Sequence, residues 1–388
     1  MRVEGLEIRD KRLKKIVVNI ARVILAVTLI FSGFVKAVDP MGTQYKIDDY
    51  LGALHLGDYF PSIMSLVLSV LLSAAEFLLG ICLLLAIRRR SASLLTLILM
   101  LVLTPLTLWL ALTDPISDCG CFGDAVVLTN WQTFGKNAIL LLMAFIVWRW
   151  SLLMVRFVSQ SNQWIVISYT VLFILAVSGW SLYDRPYFDF RPYHVGVNLE
   201  KGWQQMMEGQ DSPYAEFFIE RQGDTEDITE QVLTTPGYTF LLVAPYLEQA
   251  DDSQLDLINQ AYEYAKDNGY PFYCLTASGD QGINMWREST GAEYPFCLTD
   301  GTTLKTVIRS NPGLLLLKDG TIVHKWSHNR LPDEDVLTGR LEELSIGQLD
   351  EDTIPGKILV IVMWYLLPLA VLVLADRLWA WRCKKLKK

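Results

Sequence analysis

Two cysteines one residue apart, Cys119 and Cys121 in the stretch DCGCFGD (118–124), are the densest concentration of redox chemistry in this sequence. A Cys-x-Cys disulfide closes a small ring whose geometry departs from that of an ordinary bridge. Such a bond is readily reduced, which is what an exchange pair requires. The flanking Asp118 and Asp124 act the other way, because nearby negative charge raises a thiol pKa. A structural turn with a packed or permanently bridged pair fits the same residues. A metal site needs about four ligands. This loop offers two thiolates, and His194, His324 and His328 are remote in sequence. No metal is expected. The loop by itself leaves exchange and structure open.

The remaining cysteines divide by position. Cys82 falls inside an apolar run and Cys383 in a basic tail. Cys274 and Cys297 occur in similar strand-like contexts, Phe-Tyr-Cys-Leu-Thr and Pro-Phe-Cys-Leu-Thr. A structural disulfide between them, or two buried free thiols, is the plain expectation. Exchange with Cys119–Cys121 is the functional alternative.

Ionisable residues within the apolar runs include Arg22, Lys36 and Glu76. Charge inside a membrane is costly, so each is a candidate for ligand binding or proton handling. Helical rise places Glu76 closer in depth to Arg22 than to Lys36, which predicts a Glu76–Arg22 pair. Lys36 is then expected to snorkel to the outer surface.

The elements that must position these residues are membrane spans. The chain has 388 residues, 52% of them hydrophobic, and a positive mean hydropathy. Six apolar runs are long enough to cross a bilayer: 16–37, 62–87, 92–112, 135–157, 164–183 and 357–380. The segment 184–355 between the last two is polar and large enough to build its own core.

Lys and Arg cluster at 9–15, in the loop 87–93, near Arg149 and Arg156, and in the tail 381–388. The excess of cytoplasmic Lys and Arg in membrane proteins then puts both termini in the cytoplasm and 184–355 outside. The first span is too long for a signal peptide and no small-x-small site follows it, so it reads as an uncleaved anchor. The net charge of −8 is concentrated in the outer segment, which argues against nucleic acid as a partner.

Together, SGFVKAVDP (32–40), the Glu-x-x-x-Gly of the second span and DCGCFGD resemble the DoxX-like membrane proteins. They are most similar to the branch with the methylamine-utilisation MauE proteins. The resemblance covers about 15–157 and implies a four-helix bundle. It also implies assistance to periplasmic disulfide handling. Other DoxX-like proteins are linked to sulfur compounds and quinones, so a quinone near Glu76 is the one cofactor it suggests.

In the outer segment, strands are expected at 215–221, 238–244, 270–278 and 294–300, and helices at 253–269, 283–290 and 302–310. A hairpin should follow within 310–327 around Lys-Asp-Gly. This order, over about 212–345, resembles a thioredoxin-like domain, and Pro312 stands where that family has a cis-proline. The departure is in LLVAPYLEQADDSQ (241–254), which contains no cysteine where thioredoxins carry Cys-x-x-Cys. Thioredoxin-type catalysis is therefore not expected. The former active-site surface, Tyr246, Leu247, Glu248, Gln249 and Pro312, becomes a candidate for binding a partner. Asp251, Asp252 and Asp256 read as an acidic helix cap rather than a metal cluster. His324 and His328 read as exposed residues without a partner.

The expected architecture is an α-helical membrane protein with six transmembrane helices and an inserted α/β thioredoxin-like domain. A cytoplasmic N-terminus (1–14) precedes a DoxX/MauE-like bundle (15–157) and a fifth span (163–183). A periplasmic domain (184–355), a sixth span (357–380) and a basic cytoplasmic tail (381–388) follow. Anchored at both ends, the domain would serve as a lid or docking platform. The expected function is an inner-membrane factor supporting periplasmic thiol–disulfide handling or protein maturation, with an unknown periplasmic protein partner. A non-enzymatic scaffold and a quinone-binding bundle are the alternatives.

Overall fold

The computed structural model describes residues 2–115, 120–210, 212, 214, 217–223, 226–349 and 354–386. The chain divides into two units, Met1–Ser181 with Ile354–Lys388, and Leu182–Thr353. Among the described residues, six helices are long and apolar enough to cross a membrane: Arg9–Val38, Ser62–Leu85, Arg89–Thr113, Asn130–Arg149, Gln160–Tyr183 and Pro355–Trp379.

In the first unit, α1 (Arg2–Val38) stops at Asp39-Pro40, and α2 (Pro40–Ala53) begins there at once. Proline at the first helical position sacrifices only an N–H that has no helical partner. Asp39 caps the turn by accepting from the Gly42 N–H at 2.9 Å. Next come α3 (Ser62–Leu85) and α4 (Arg89–Thr113). Then α5 (Asn130–Arg149) starts on a capping box of Thr129 and Gln132.

This fourth span ends well before the predicted 157. The apolar residues after Trp150 form a 3₁₀ turn and an irregular stretch, whose carbonyls are held by arginines. Arg89 Nη1 donates to Leu152 O and Met154 O, and Arg22 Nη1 donates to Val155 O at 2.8 Å. The fifth span is completed by α6 (Gln163–Tyr183).

Two glycines set the crossing of α1 and α3. A Cβ on Gly33 of α1 would lie 2.5 Å from the Phe77 backbone nitrogen, and one on Gly80 of α3 would lie 2.8 Å from the Ile30 nitrogen. Any side chain at either position would push α1 and α3 apart, so these glycines permit the backbone contact.

The second unit is a six-stranded sheet in the order β1-β4-β3-β2-β5-β6. Its elements in chain order are α7 (Leu199–Met207), β1 (Glu220–Arg221), α8 (Thr229–Thr234), β2 (Tyr238–Val243), α9 (Leu255–Asn268) and β3 (Phe272–Thr276). They continue as α10 (Asp280–Thr290), β4 (Phe296–Leu298), α11 (Gly301–Val307), β5 (Gly313–Lys318) and β6 (Thr321–Ser327). Strands β2, β3 and β4 are parallel, whereas β5 and β6 return antiparallel. Asp319 and Gly320 both have positive φ, which suits the tight turn joining β5 to β6.

Alternate residues of the buried strands feed two cores. Phe240, Leu242, Cys274, Leu314 and Leu316 pack with α9 and α10. Leu241, Val243, Leu275, Cys297 and Leu315 pack with α8 and α11. The Asn311–Pro312 peptide is cis.

The segment after the fifth span is not a free linker. Gly196 N donates to Ile322 O at 2.8 Å and Ile322 N donates to Val197 O at 2.9 Å, so this stretch covers the β6 edge.

The last span consists of α12 (Ile354–Ile361), a π-helical turn at Val362–Leu366, and α13 (Leu367–Leu386). Pro368 explains the turn, because it cannot donate to the Trp364 carbonyl one helical turn back. The Tyr169 hydroxyl donates to that carbonyl instead. Tyr365, thrown inward by the turn, stacks on Phe173 and Tyr169 and meets Phe77 of α3.

Candidate functional site

The α1–α3 crossing brings three polar side chains together inside the bundle. Lys36, Ser32 and Glu76 are 6%, 7% and 2% exposed. Lys36 and Ser32 are one turn apart on α1, and Gly33 between them lets Glu76 of α3 come close. Lys36 Nζ lies 2.7 Å from Glu76 Oε2 and donates to Ser32 Oγ at 2.7 Å. Ser32 Oγ is 2.7 Å from Glu76 Oε2 and 2.8 Å from the Cys121 carbonyl oxygen. In a low-dielectric interior, each charge requires such a partner.

This pairing corrects the sequence reading. Glu76 pairs with Lys36 and not with Arg22, and Lys36 does not snorkel. Depth along the helices was a poor guide because the small residue between Ser32 and Phe34 sets which side chains meet. Arg22 instead holds the Val155 carbonyl and lies over the Phe157 ring, 5.7 Å from its centroid.

The Cys-Gly-Cys loop rests against this cluster. Cys121 is disulfide-bonded. Cys119 and Asp118 lie outside the described residues, as does the sulfur that Cys121 bonds. Gly120 adopts φ +62°, and a Cβ there would meet the Lys46 stem at 2.9 Å. Phe122 packs on Phe31 at 5.3 Å, and Lys136 Nζ sits 3.9 Å from the Phe122 ring centroid. The structure adds Lys46 of α2 and Lys136 of α5, whose nearness no local spacing could reveal.

In the second unit, the predicted surface residues come together. Asn311 Nδ2 donates to Tyr246 O at 2.8 Å, and Asp251 N donates to Asn311 O at 2.9 Å. Glu248 and Gln249 are exposed, whereas Leu247 and Pro312 are buried. Ser278 Oγ donates to Glu248 Oε2 at 2.6 Å and accepts from Leu247 N at 2.9 Å.

His328, expected to lack a partner, has two. Its Nδ1 is 3.0 Å from Ser310 Oγ and its Nε2 is 3.4 Å from Asp251 Oδ2. This Ser–His–Asp order is not a nucleophilic triad. Ser310 is buried, its hydroxyl proton goes to Pro312 O at 2.5 Å, and its oxygen also accepts from His328 N. The array pins the 310–312 turn beside residue 246. Asp251 also accepts from Ser253, and these bonds hold its carboxyl below the usual range.

Cys274 and Cys297 are both buried and free. Strand register explains why no disulfide joins them: Cys274 lies opposite Phe296 and Leu275 opposite Cys297. The one-residue offset sends the two thiols to opposite faces of the sheet. Burial pushes the Cys297 thiol up to about 11 and Cys274 higher still, so neither is an exchange nucleophile.

A buried ion cluster in this unit had no sequence signal beyond its residue types. Arg191 grips Asp189 through Nε at 2.7 Å and Nη2 at 2.9 Å, while Lys325 Nζ reaches Asp189 Oδ2 at 2.9 Å. Burial works against the Asp189 charge, but the two cations outweigh it and hold the carboxyl far below its usual range. Arg191 already neutralises Asp189, leaving Lys325 as the surplus cation, and burial brings it down to about 8.

Residues 14–149 match the family model of methylamine utilisation protein MauE. This part of the chain, which contains Ser32, Lys36, Glu76 and the Cys-Gly-Cys loop, is therefore MauE-like. With its six apolar helices the chain is an integral membrane protein. No curated protein and no solved structure matches it.

Proposed function

We propose that this protein supports thiol–disulfide handling at the outer face of a bacterial inner membrane, through an exchangeable bridge between Cys119 and Cys121. In this reading both termini are cytoplasmic and residues 184–355 are periplasmic. The observation that carries it is the Cys121 loop itself, disulfide-bonded and keyed through its carbonyl to Ser32 of the buried Lys36–Glu76 cluster. A turn needed only for shape has no use for an intramembrane ion pair under it. The second unit is read as a thioredoxin-like domain without the redox motif, because its parallel β2–α9–β3 unit and closing hairpin follow that order. It would present Tyr246, Glu248 and Gln249 to a protein client.

Thiol trapping in intact cells tests this proposal, using acid quench and a mass-adding maleimide on wild type, Cys119→Ser and Cys121→Ser. A bridge that shifts between oxidised and reduced forms when the periplasm is perturbed, with a mixed disulfide trapped in one single variant, is the expected result. One fixed state under every condition would overturn it.

A second reading, a non-enzymatic scaffold, is favoured by the absence of cysteine from 241–254 and by the burial of Cys274 and Cys297. It predicts that Cys119→Ser leaves partner capture intact while Glu248→Arg abolishes it.

A further inference from the structure

The Ser32 hydroxyl has one proton and two acceptors within reach, Glu76 Oε2 at 2.7 Å and the Cys121 carbonyl at 2.8 Å. The Lys36 ammonium cannot accept, since it only donates to the Ser32 oxygen. At any instant Ser32 therefore serves either the ion pair in the membrane or the backbone of the Cys-Gly-Cys loop. Glu76 Oε2 retains Lys36 when Ser32 turns away.

We propose that Ser32 is a positioning residue whose single hydroxyl proton is divided between Glu76 and the Cys121 carbonyl, so that the buried Lys36–Glu76 pair biases the thiol–disulfide equilibrium of the loop. This rests on the exchange reading above. In the forward step a client thiolate attacks one sulfur of the Cys119–Cys121 bridge, and the S–S bond breaks. The electron pair leaves on the other sulfur, which takes a proton. A second client thiolate then attacks the client sulfur of the mixed disulfide, the client–loop S–S bond breaks, and the released loop thiolate takes a proton. The client ends as a disulfide, oxidised by two electrons, and the loop ends as a dithiol.

In the dithiol form the Cys121 carbonyl is no longer tied by the bridge and would leave Ser32. Ser32 then donates to Glu76. Because the bond to Cys121 belongs to the disulfide form, it favours that form. Glu76 competes with it, and the coupling is reciprocal.

Two variants should consequently move the equilibrium in opposite directions. Ser32→Ala removes the bond that favours the disulfide and should make the loop easier to reduce. Lys36→Met/Glu76→Leu removes the competitor, commits Ser32 to Cys121 and should make the loop harder to reduce. Full-length protein in detergent would be equilibrated with glutathione buffers and the reduced fraction read by alkylation mass shift. A shift of roughly 3- to 10-fold in the equilibrium constant is expected for each, about 14–30 mV for a two-electron couple. Ser32→Thr keeps the hydroxyl and should restore the wild-type midpoint, and it decides the matter with Ser32→Ala if the double variant does not fold.

If the wild-type loop titrates but Ser32→Ala stays within twofold of it, or both variants shift the same way, the proposal is wrong and the exchange reading stands. If the wild-type loop does not titrate at any buffer ratio, both fall.

Discussion

The two units each bury a lysine against a carboxylate, and they do so on different terms. In the membrane unit Lys36 and Glu76 meet at 2.7 Å, and the Ser32 hydroxyl bonds both. In the second unit Asp189 receives Arg191 and Lys325 together, and the cations keep backbone partners besides: Thr306 O for Arg191 and Tyr193 O for Lys325. A further cation, Lys136 of α5, acts on both members of the first pair through space, whereas in the second the extra cation bonds the carboxylate directly. The second has a surplus cation that can give up its proton.

The largest effect that would break this comparison comes from the membrane pair. Glu76→Leu leaves Lys36 uncompensated among spans and should destabilise the bundle by about 3–5 kcal/mol. Adding Lys36→Met should recover most of that loss, since an apolar pair carries no buried charge. Thermal unfolding in detergent reads both. A single variant as stable as wild type would mean that water or lipid already reaches the pair.

Asp189→Asn should cost less, about 2 kcal/mol, because Lys325 can deprotonate and both cations retain carbonyl partners. The effect should be local. Hydrogen exchange at Gly196 and Ile322, whose N–H groups join the covering strand to β6, should quicken while the β2–β3 amides stay protected. Uniform loss across the sheet would show instead that the cluster supports the whole unit.

Titration sharpens the same contrast. Lys325 has a folded value of about 8, below that of an unfolded lysine, so between those values the unfolded chain binds more protons. Stability of the second unit should therefore rise as pH increases through 8 towards 10. Asp189 is depressed, so its contribution is present above the ordinary carboxylate range and is lost as pH falls through and below it. Lys325→Met should abolish the alkaline rise and leave the acid loss in place. An alkaline rise that survives this variant would assign it to another group.

Much of this architecture was legible because it rests on local chemistry. Apolar length marked the spans, and Lys-Asp-Gly marked the hairpin at Asp319-Gly320. The end of the fourth span was not legible, because Met154 and Val155 look membrane-like until Arg89 and Arg22 are seen to hold their carbonyls. The candidate site was half legible. Glu76, Lys36 and the Cys-Gly-Cys loop stood out by residue type, but their assembly depends on a helix crossing set by Gly33 and Gly80. Ser32 gave no signal of its own, since a serine in a span commonly bonds its own helix. The contacts of His328 join positions far apart in sequence, which periodicity does not report.

The smallest expected effect concerns the two thiols that similar sequence contexts suggested might pair. Cys274 faces the α9–α10 core and Cys297 the α8–α11 core, so oxidants should not link them while the sheet is intact. Neither should react with maleimide until the unit unfolds, because burial holds both in the protonated form. Cys297→Ala removes only a small apolar group and should cost about 1 kcal/mol, with no change in the redox state of the loop. A peptide joining 274 to 297 in a non-reducing digest would require the β3–β4 register to slip by one residue. That slip would turn every side chain of β4 to the opposite face, and such a finding would remove the argument that these cysteines are only packing.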